Sequence, residues 1–426
     1  MKRIRKPFYG WYIVGTAFLS FFIGASSGGF TFSIFLPAMS ADLDWSRSTI
    51  VAGSSIAAIT SSFSAPFLGR IVDKRGPRLV LVTSVVVLGL ALIATSQVQE
   101  PWQFYVALGV ICGISRSALT SVGPGAMVAQ WFRRRRATAY SITAMGPPVG
   151  NVLLPPLLAV FIGAFGWRAG WMGLAALALG LGPIPLAMIV RRRPEDIGLR
   201  TDGDAPVETP ADGSMPSPDV IVDDEDWTAS EALHSGAFWM VAAGMALILL
   251  SPNVSMVFMY PYLTSKGLDP TGAAAAVVVV SAMQVISRLA FWGPAITRLG
   301  TVRRVVLLWG VLLLSATLLL AFAQSVVWAY VAAVVLGLGF GGNLVLQLQI
   351  WPEYFGRTAV GTITGMSQAL QGLSSATVPL LLAGLVDRTG SYTVLFFIVS
   401  GLVLSGLTLH AMVGKPRRPA RSSAPS

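Results

Sequence analysis

Charge is what this sequence has least of. Of its 426 residues only 12% are Asp, Glu, Lys or Arg, while 54% are hydrophobic. A soluble globular domain carries about twice that share of charge. The mean hydropathy of +0.70 agrees, and the composition is that of a membrane protein. One cysteine, Cys112, lies inside an apolar run. It excludes a disulfide framework and a cysteine zinc site, and reads as a packing residue. His234 and His410 are the only histidines. The sequence offers no metal cluster, phosphate loop or nucleophile–base set, so no catalytic residue, metal or cofactor is expected, and the chain is not read as an enzyme. The net charge of +11 invites a nucleic-acid partner. The basic residues sit in short loops between apolar runs rather than on one soluble face, which excludes that reading. The last absence is of acids: none of the 19 carboxylates falls inside an apolar run.

What is present is a series of twelve apolar runs long enough to span a bilayer, which takes about 20 residues each. They cover residues 11–36, 49–68, 79–96, 104–130, 138–161, 169–190, 237–263, 273–296, 305–323, 328–350, 360–385 and 392–413. The first follows Lys2, Arg3, Arg5 and Lys6 but is too long for a signal peptide and lacks a small-residue cleavage site, so it reads as a retained span. The fold class is therefore all-α and polytopic. With the N-terminus inside, the inner segments hold 24 Lys and Arg and the outer loops four, namely Arg47, Arg168, Lys266 and Arg388. That bias puts both termini in the cytoplasm. Residues 191–234 hold 12 of the 19 acids and few large apolar residues before Trp227. They read as a mostly disordered acidic linker, closed by a Thr228–Glu231 capping box that starts a helix. The organisation expected is a six-helix bundle over 1–190, the linker over 191–234, a second bundle over 235–414 and a tail over 415–426.

The halves echo one another. Gly69-Arg-Ile-Val-Asp-Lys-Arg-Gly76 follows the second run, and Gly293-Pro-Ala-Ile-Thr-Arg-Leu-Gly300 follows the eighth, 224 residues on. Repeated halves place a transport site near the midplane, between them. Gly109-x-x-x-Gly113 and Gly337-x-x-x-Gly341 read as small-residue helix contacts. Gly123-Pro124, Gly146-Pro147 and Gly293-Pro294 read as hinges or close-packing devices. The run Arg133–Arg136 reads as a topology anchor that attracts anionic membrane lipid.

The remaining two of the 30 basic residues, Arg116 and Arg288, lie inside spans. An arginine at a membrane helix centre costs about 2.5–3.5 kcal/mol on insertion scales and normally finds an anionic partner. With no buried acid available, the simplest partner is an anionic cargo. Arg288 has the planar donor fork that grips a carboxylate in two places. It would equally serve as helix glue on backbone carbonyls, or snorkel to the inner face. Arg116 stands near the middle of its run, either on cargo or as a gating arginine. Gln284 shares a helix face with Arg288. Asn343, Gln347, Gln368, Gln371 and Asn151 would bond either cargo or a neighbouring helix, and Gln347 and Gln371 are favoured by depth.

Gly69-x-x-x-Asp73-Lys74-x-Gly76-x-Arg78 resembles the signature of the major facilitator superfamily between its second and third spans. The resemblance implies twelve helices in two pseudo-symmetric bundles, and a conformational or gating role for Gly69, Asp73, Lys74, Gly76 and Arg78. In the second copy Thr297 stands where an acid would. Within the superfamily, Tyr9-Gly10-Trp11 and the stretch from Trp131 through Arg133–Arg136 to Gly146-Pro147-Pro148-Val149-Gly150 resemble motifs of the monocarboxylate transporters and the related oxalate:formate antiporters. That family's preceding acid and central lysine in span 1 are absent, and Gln284 stands where it often has an aspartate. Arg193-Pro194-Glu195-Asp196-Ile197-Gly198-Leu199 is similar to bacterial members. The resemblance implies a proton-coupled carrier of small organic anions, with Arg288 binding the carboxylate and Arg116, Gln284, Gln347, Gln371 and Asn343 around it. It implies a monomer in a bacterial inner membrane. The alternatives are a carboxylate antiporter, an exporter of drug-like or metalloid compounds, and a non-transporting membrane receptor.

Overall fold

The computed structural model describes residues 8–203, 227–323, 325–414 and 416. The basic N-terminal residues, the acidic centre of the linker and nearly all of the C-terminal tail lie outside the described residues. Among the described residues every regular element is a helix.

Twelve spans follow from the helix bounds. Span 1 is two helices, Gly10–Ala25 (1a) and Gly29–Leu43 (1b). Span 2 is Arg47–Arg75 and span 3 is Pro77–Ser96. Span 4 runs over Pro101–Trp131. The helical stretch Arg136–Ile189 is 54 residues long. At 1.5 Å per residue it far exceeds a 30 Å hydrocarbon core, so it holds spans 5 and 6, and the chain reverses at Gly166, where φ is +82°. Only glycine adopts that backbone readily. Span 7 is Gly236–Ser265. Span 8 begins as Pro270–Ser287 and ends as Gly293–Leu299. Spans 9 to 12 are Val302–Ala321, Val326–Phe355, Val360–Thr389 and Tyr392–Met412.

Local chemistry sets the ends. Proline opens spans 3, 4 and 8, where its missing N–H costs nothing. Ser46 accepts from the Thr49 amide, Asp269 from Gly272 and Ser235 from Phe238, each satisfying an orphan donor of the first turn. Thr228 and Glu231 form the expected reciprocal box.

Glycines set the close contacts inside each half. A Cβ on Gly113 would meet the Ala57 carbonyl oxygen at 2.7 Å, and one on Gly337 would meet that of Val280 at 2.5 Å. Spans 2 and 4 and spans 8 and 10 are thereby drawn together at corresponding places. Thr60 donates to the Gly109 carbonyl at 2.6 Å and Ser287 to that of Gly337 at 3.3 Å.

The halves meet along span 2 and span 11, and at the ends of spans 4, 5, 8 and 10 that carry the basic loops. We call that side the basic face. A Cβ on Gly69 would stand 2.2 Å from the Gly361 carbonyl oxygen, and one on Gly372 would meet Ser62 Oγ at 1.9 Å. Helix 1b packs on span 2 and on the Gly146–Leu181 stretch, where Phe35 stacks on Trp171 of span 6, all within its own half. The outer part of span 7 packs on spans 8, 9, 11 and 12 and on span 10, again within its half. The molecule is shut at the basic face, and the outer segments of spans 1 and 7 are left to their own bundles.

Candidate functional site

Span 4 is not a uniform helix. Tyr105–Cys112 and Ala118–Val122 are π-helical, with the α-turn Gly113–Ser117 between them. Arg116 sits in that turn, fifteen residues from either end of the span. Span 8 repeats the device: Arg288 opens the π-helical turn Arg288–Trp292, and the flanking segments differ in direction by 44°. π-Turns recur at functional sites because they re-aim side chains and loosen the carbonyl ladder. Both intramembrane arginines occupy such junctions.

Their partners are backbone carbonyls. Arg288 is 4% exposed. Its Nε donates to the Gly341 carbonyl in span 10 at 3.2 Å, and its Nη1 to the Ala144 carbonyl in span 5 at 3.1 Å. It therefore ties the two halves together. Of a guanidinium's five donors, the other three have no partner among the described residues. Arg116 is half-buried and makes one marginal bond, Nη1 to the Ser27 carbonyl at 3.4 Å. No carboxylate pairs with either arginine among the described residues. The two do not share a cluster. Arg116 faces the break in span 1, and Arg288 faces the base of span 5.

The amides divide in the same way. Gln368 donates to Gln347, and Gln347 to Asn343, each at 2.6 Å. This chain links spans 10 and 11. Gln371 donates to Ser367 of its own helix at 2.8 Å. The side chain of Gln284 is half-buried with no bond among the described residues. Asn151 is half-buried in span 5.

The glycine–aspartate signature finds its partner in the opposite half. Asp73 accepts from the Gly361 amide at 2.9 Å, the Thr362 amide at 2.7 Å and the Thr362 hydroxyl at 2.6 Å. A carboxylate on the first turn of span 11 satisfies orphan donors and complements the helix dipole. Arg192 donates to the Asp73 carbonyl and covers Gly76, whose φ is +83°. Gln130 adds a 2.7 Å bond to the Arg357 carbonyl across the same face. Asp202, in the ordered start of the linker, accepts from the Arg133 and Arg134 amides at 3.0 and 2.7 Å.

The sequence profile of the Major Facilitator Superfamily matches residues 16–290 and 242–426. The chain belongs to the Major Facilitator Superfamily. It is a multi-pass membrane protein of that family of transporters. Monocarboxylate transporter 13 of Rattus norvegicus is 24% identical over 402 residues, covering 93% of this chain and 87% of the relative. Monocarboxylate transporter 11 of Mus musculus is 26% identical over 425 residues, covering 96% and 88%. Two solved structures share the fold. The proton:xylose symporter XylE superposes with a TM-score of 0.70 at 15% identity, covering 96% of each chain. The human organic anion transporter MFSD10 superposes with a TM-score of 0.68 at 15% identity, covering 95% of this chain and all of that one.

Sequence reasoning treated residues 11–36 as one continuous span. The structure divides it at Ser26, Ser27 and Gly28. Four small residues in a row, Ser26-Ser27-Gly28-Gly29, were the available signal; hydropathy is blind to them because none is charged. Ala144 was missed for a different reason. It acts through its carbonyl, which every residue has.

Proposed function

We propose that this superfamily member is a secondary carrier of small organic anions, monocarboxylates first, working by alternating access between its two halves. One observation carries the reading: two guanidiniums lie in the membrane interior with no carboxylate to pair with among the described residues. A buried cation is stabilised by an anion, and a cargo anion supplies it where the chain does not. The similarity to monocarboxylate transporters over nearly the whole chain supports the class of cargo. Arg288 and Arg116 are the anion-binding groups in this reading, with Gln284, Gln347, Gln371 and Asn343 as polar neighbours. Gly69, Asp73, Lys74, Gly76 and Arg78 form the gate at the basic face. The 24-to-4 charge bias supports a cytoplasmic basic face; in that orientation the shut basic face makes this an outward-facing state.

Import with a proton is the first mode proposed. Exchange of one carboxylate for another is the second, favoured by the absence of an acid inside the apolar runs to carry a proton. Proteoliposomes test all of this. Labelled lactate, pyruvate, oxalate and benzoate are offered with and without an inward proton gradient, and with and without unlabelled acid inside. Uptake driven by the gradient supports symport; uptake that needs internal acid supports exchange. No uptake of any carboxylate, with transport of a neutral or cationic drug, overturns the reading.

A further inference from the structure

The break in span 1 opens a recess of about 180 Å³ within the N-terminal half. Ser27 and Gly28 of the break line it together with Arg116 of span 4; Phe32, Ala58 and Leu108 form its apolar wall. Arg116, Ser27 and Gly28 stand at mid-depth, while Ala58 and Leu108 lie nearer the outer ends of their spans.

Three independent features of the floor point to an anion. The first is Arg116, held among the described residues only by its 3.4 Å contact to the Ser27 carbonyl, the weak end of hydrogen bonding. The second is helix 1b, fifteen residues long, whose first turn begins at the recess behind Gly28. The first amides of a helix have no carbonyl one turn back, and the dipole there is positive. Broken spans present such half-helix N-termini to anionic cargo. The third is Ser27 itself. It is 8% exposed, and its hydroxyl has no hydrogen-bond partner among the described residues. Its counterpart 224 residues on, Ser251, donates to the Leu313 carbonyl at 3.1 Å. The second half satisfies this hydroxyl with protein; the first half leaves it open beside a cation.

We propose, resting on the organic-anion reading, that this recess is the carboxylate site of the outward-facing state. Arg116, the Ser27 hydroxyl and the first turn of helix 1b hold the anion, and the Phe32–Leu108–Ala58 wall takes its tail. The membrane part of span 1 carries no cation of its own, and the charge is supplied from span 4. The ligand class follows from the recess. One guanidinium neutralises one carboxylate, so a second carboxylate in the tail would lie unpaired against an apolar wall, at high cost. A cavity of about 150 Å³ holds a benzene ring, so this one suits a carboxylate with a compact apolar or aromatic tail. Arg288 has no part in this first capture, being engaged with Ala144 in the other half.

Equilibrium binding to the purified full-length protein in nanodiscs tests the site, with benzoate, acetate and succinate as probes. Wild type should bind benzoate more tightly than acetate, and succinate most weakly. Arg116→Gln should weaken benzoate roughly 10- to 150-fold, the loss of a charged hydrogen bond. Ser27→Ala should weaken it a few-fold, about the value of one neutral bond. Ala58 is exposed and tolerates enlargement; Ala58→Phe should reduce benzoate binding and spare acetate. Thermal unfolding of each variant separates a lost site from a lost fold, and Arg116→Lys, which keeps the charge, should recover part of the affinity. If Arg116→Gln binds benzoate as wild type does while Arg288→Gln does not, the recess is not the site and the organic-anion reading survives. If wild type binds none of the three acids and transports none, that reading itself fails.

Discussion

Arg288→Lys tests whether one side chain both closes the gate and grips cargo. Arg288 bonds Gly341 within its own half and Ala144 in the other. Lysine keeps the charge but brings one ammonium in place of a forked, planar donor set. It can serve one of the two carbonyls. On the alternating-access reading Gly341 is the nearer choice, because it shares a half with Arg288 while Ala144 belongs to the half that rocks away. The cross-half bond is then the one lost. A hydrogen bond from a charged donor contributes about 1.5–3 kcal/mol, which is roughly 10- to 150-fold in the ratio of closed to open basic face. Starting from about 1% open, the variant would be roughly 10–60% open. Spin labels on Leu79→Cys and Arg304→Cys, both exposed at the basic ends of opposite halves, report that distance; the native Cys112 is buried and out of the label's reach. A second, longer distance should grow in at the expected fraction, and carboxylate uptake should fall steeply while the protein still inserts. An unchanged distance distribution together with a wild-type uptake rate would refute both roles.

Three further outcomes are expected. Asp73→Asn replaces one of two accepting oxygens with a donor facing the Thr362 or Gly361 amide; the same label pair should show at least about a tenfold shift toward the open basic face. Gln284→Asp restores an acid one helical turn from Arg288, and it should make uptake depend more steeply on an imposed proton gradient, measured at fixed internal pH; an unchanged dependence would place position 284 outside the proton path. Reporter fusions after Val190 and after Val413 should both report the cytoplasm, and a periplasmic signal at either would overturn the orientation.

The spans were legible because apolar length is a one-dimensional property, and the small-residue contacts because Gly-x-x-x-Gly puts two missing side chains on one helix face. Gly113 and Gly337 do lie in close helix contacts, against spans 2 and 8, but the pattern itself names no partner span. The signature Asp73 was legible as part of a gating motif, but the helix it caps begins at Val360, in the other bundle. No local spacing encodes a partner 288 residues away. The amide candidates were legible only as polar groups in apolar runs. Their division into a Gln368–Gln347–Asn343 chain and a self-satisfied Gln371 depends on how spans 10 and 11 face each other. The break in span 1 was the largest miss: serine and glycine do not interrupt an apolar average, yet they permit the backbone to leave the helix.

The ties across the basic face share a form that bears on how it opens. Asp73 reaches backbone amides, Arg288 a backbone carbonyl, and Gln130 another. Glu195 and Arg357 add an ion pair at 3.7 Å, partly exposed and therefore weak. A side chain held by backbone is indifferent to the partner's identity and sensitive to its position, so a small rotation of one half breaks these bonds together. Among them Arg288 differs in kind. It lies inside the membrane, and three of its donors have no partner among the described residues. On the proposed reading, a carboxylate moving down from the Arg116 recess meets those open donors. A carboxylate is a stronger acceptor for a guanidinium than a carbonyl is, so the anion competes with Ala144 for the same fork. Binding cargo then weakens the bond that holds the halves shut. A carrier needs that coupling: an empty carrier keeps its tie, and a loaded one has a reason to release it.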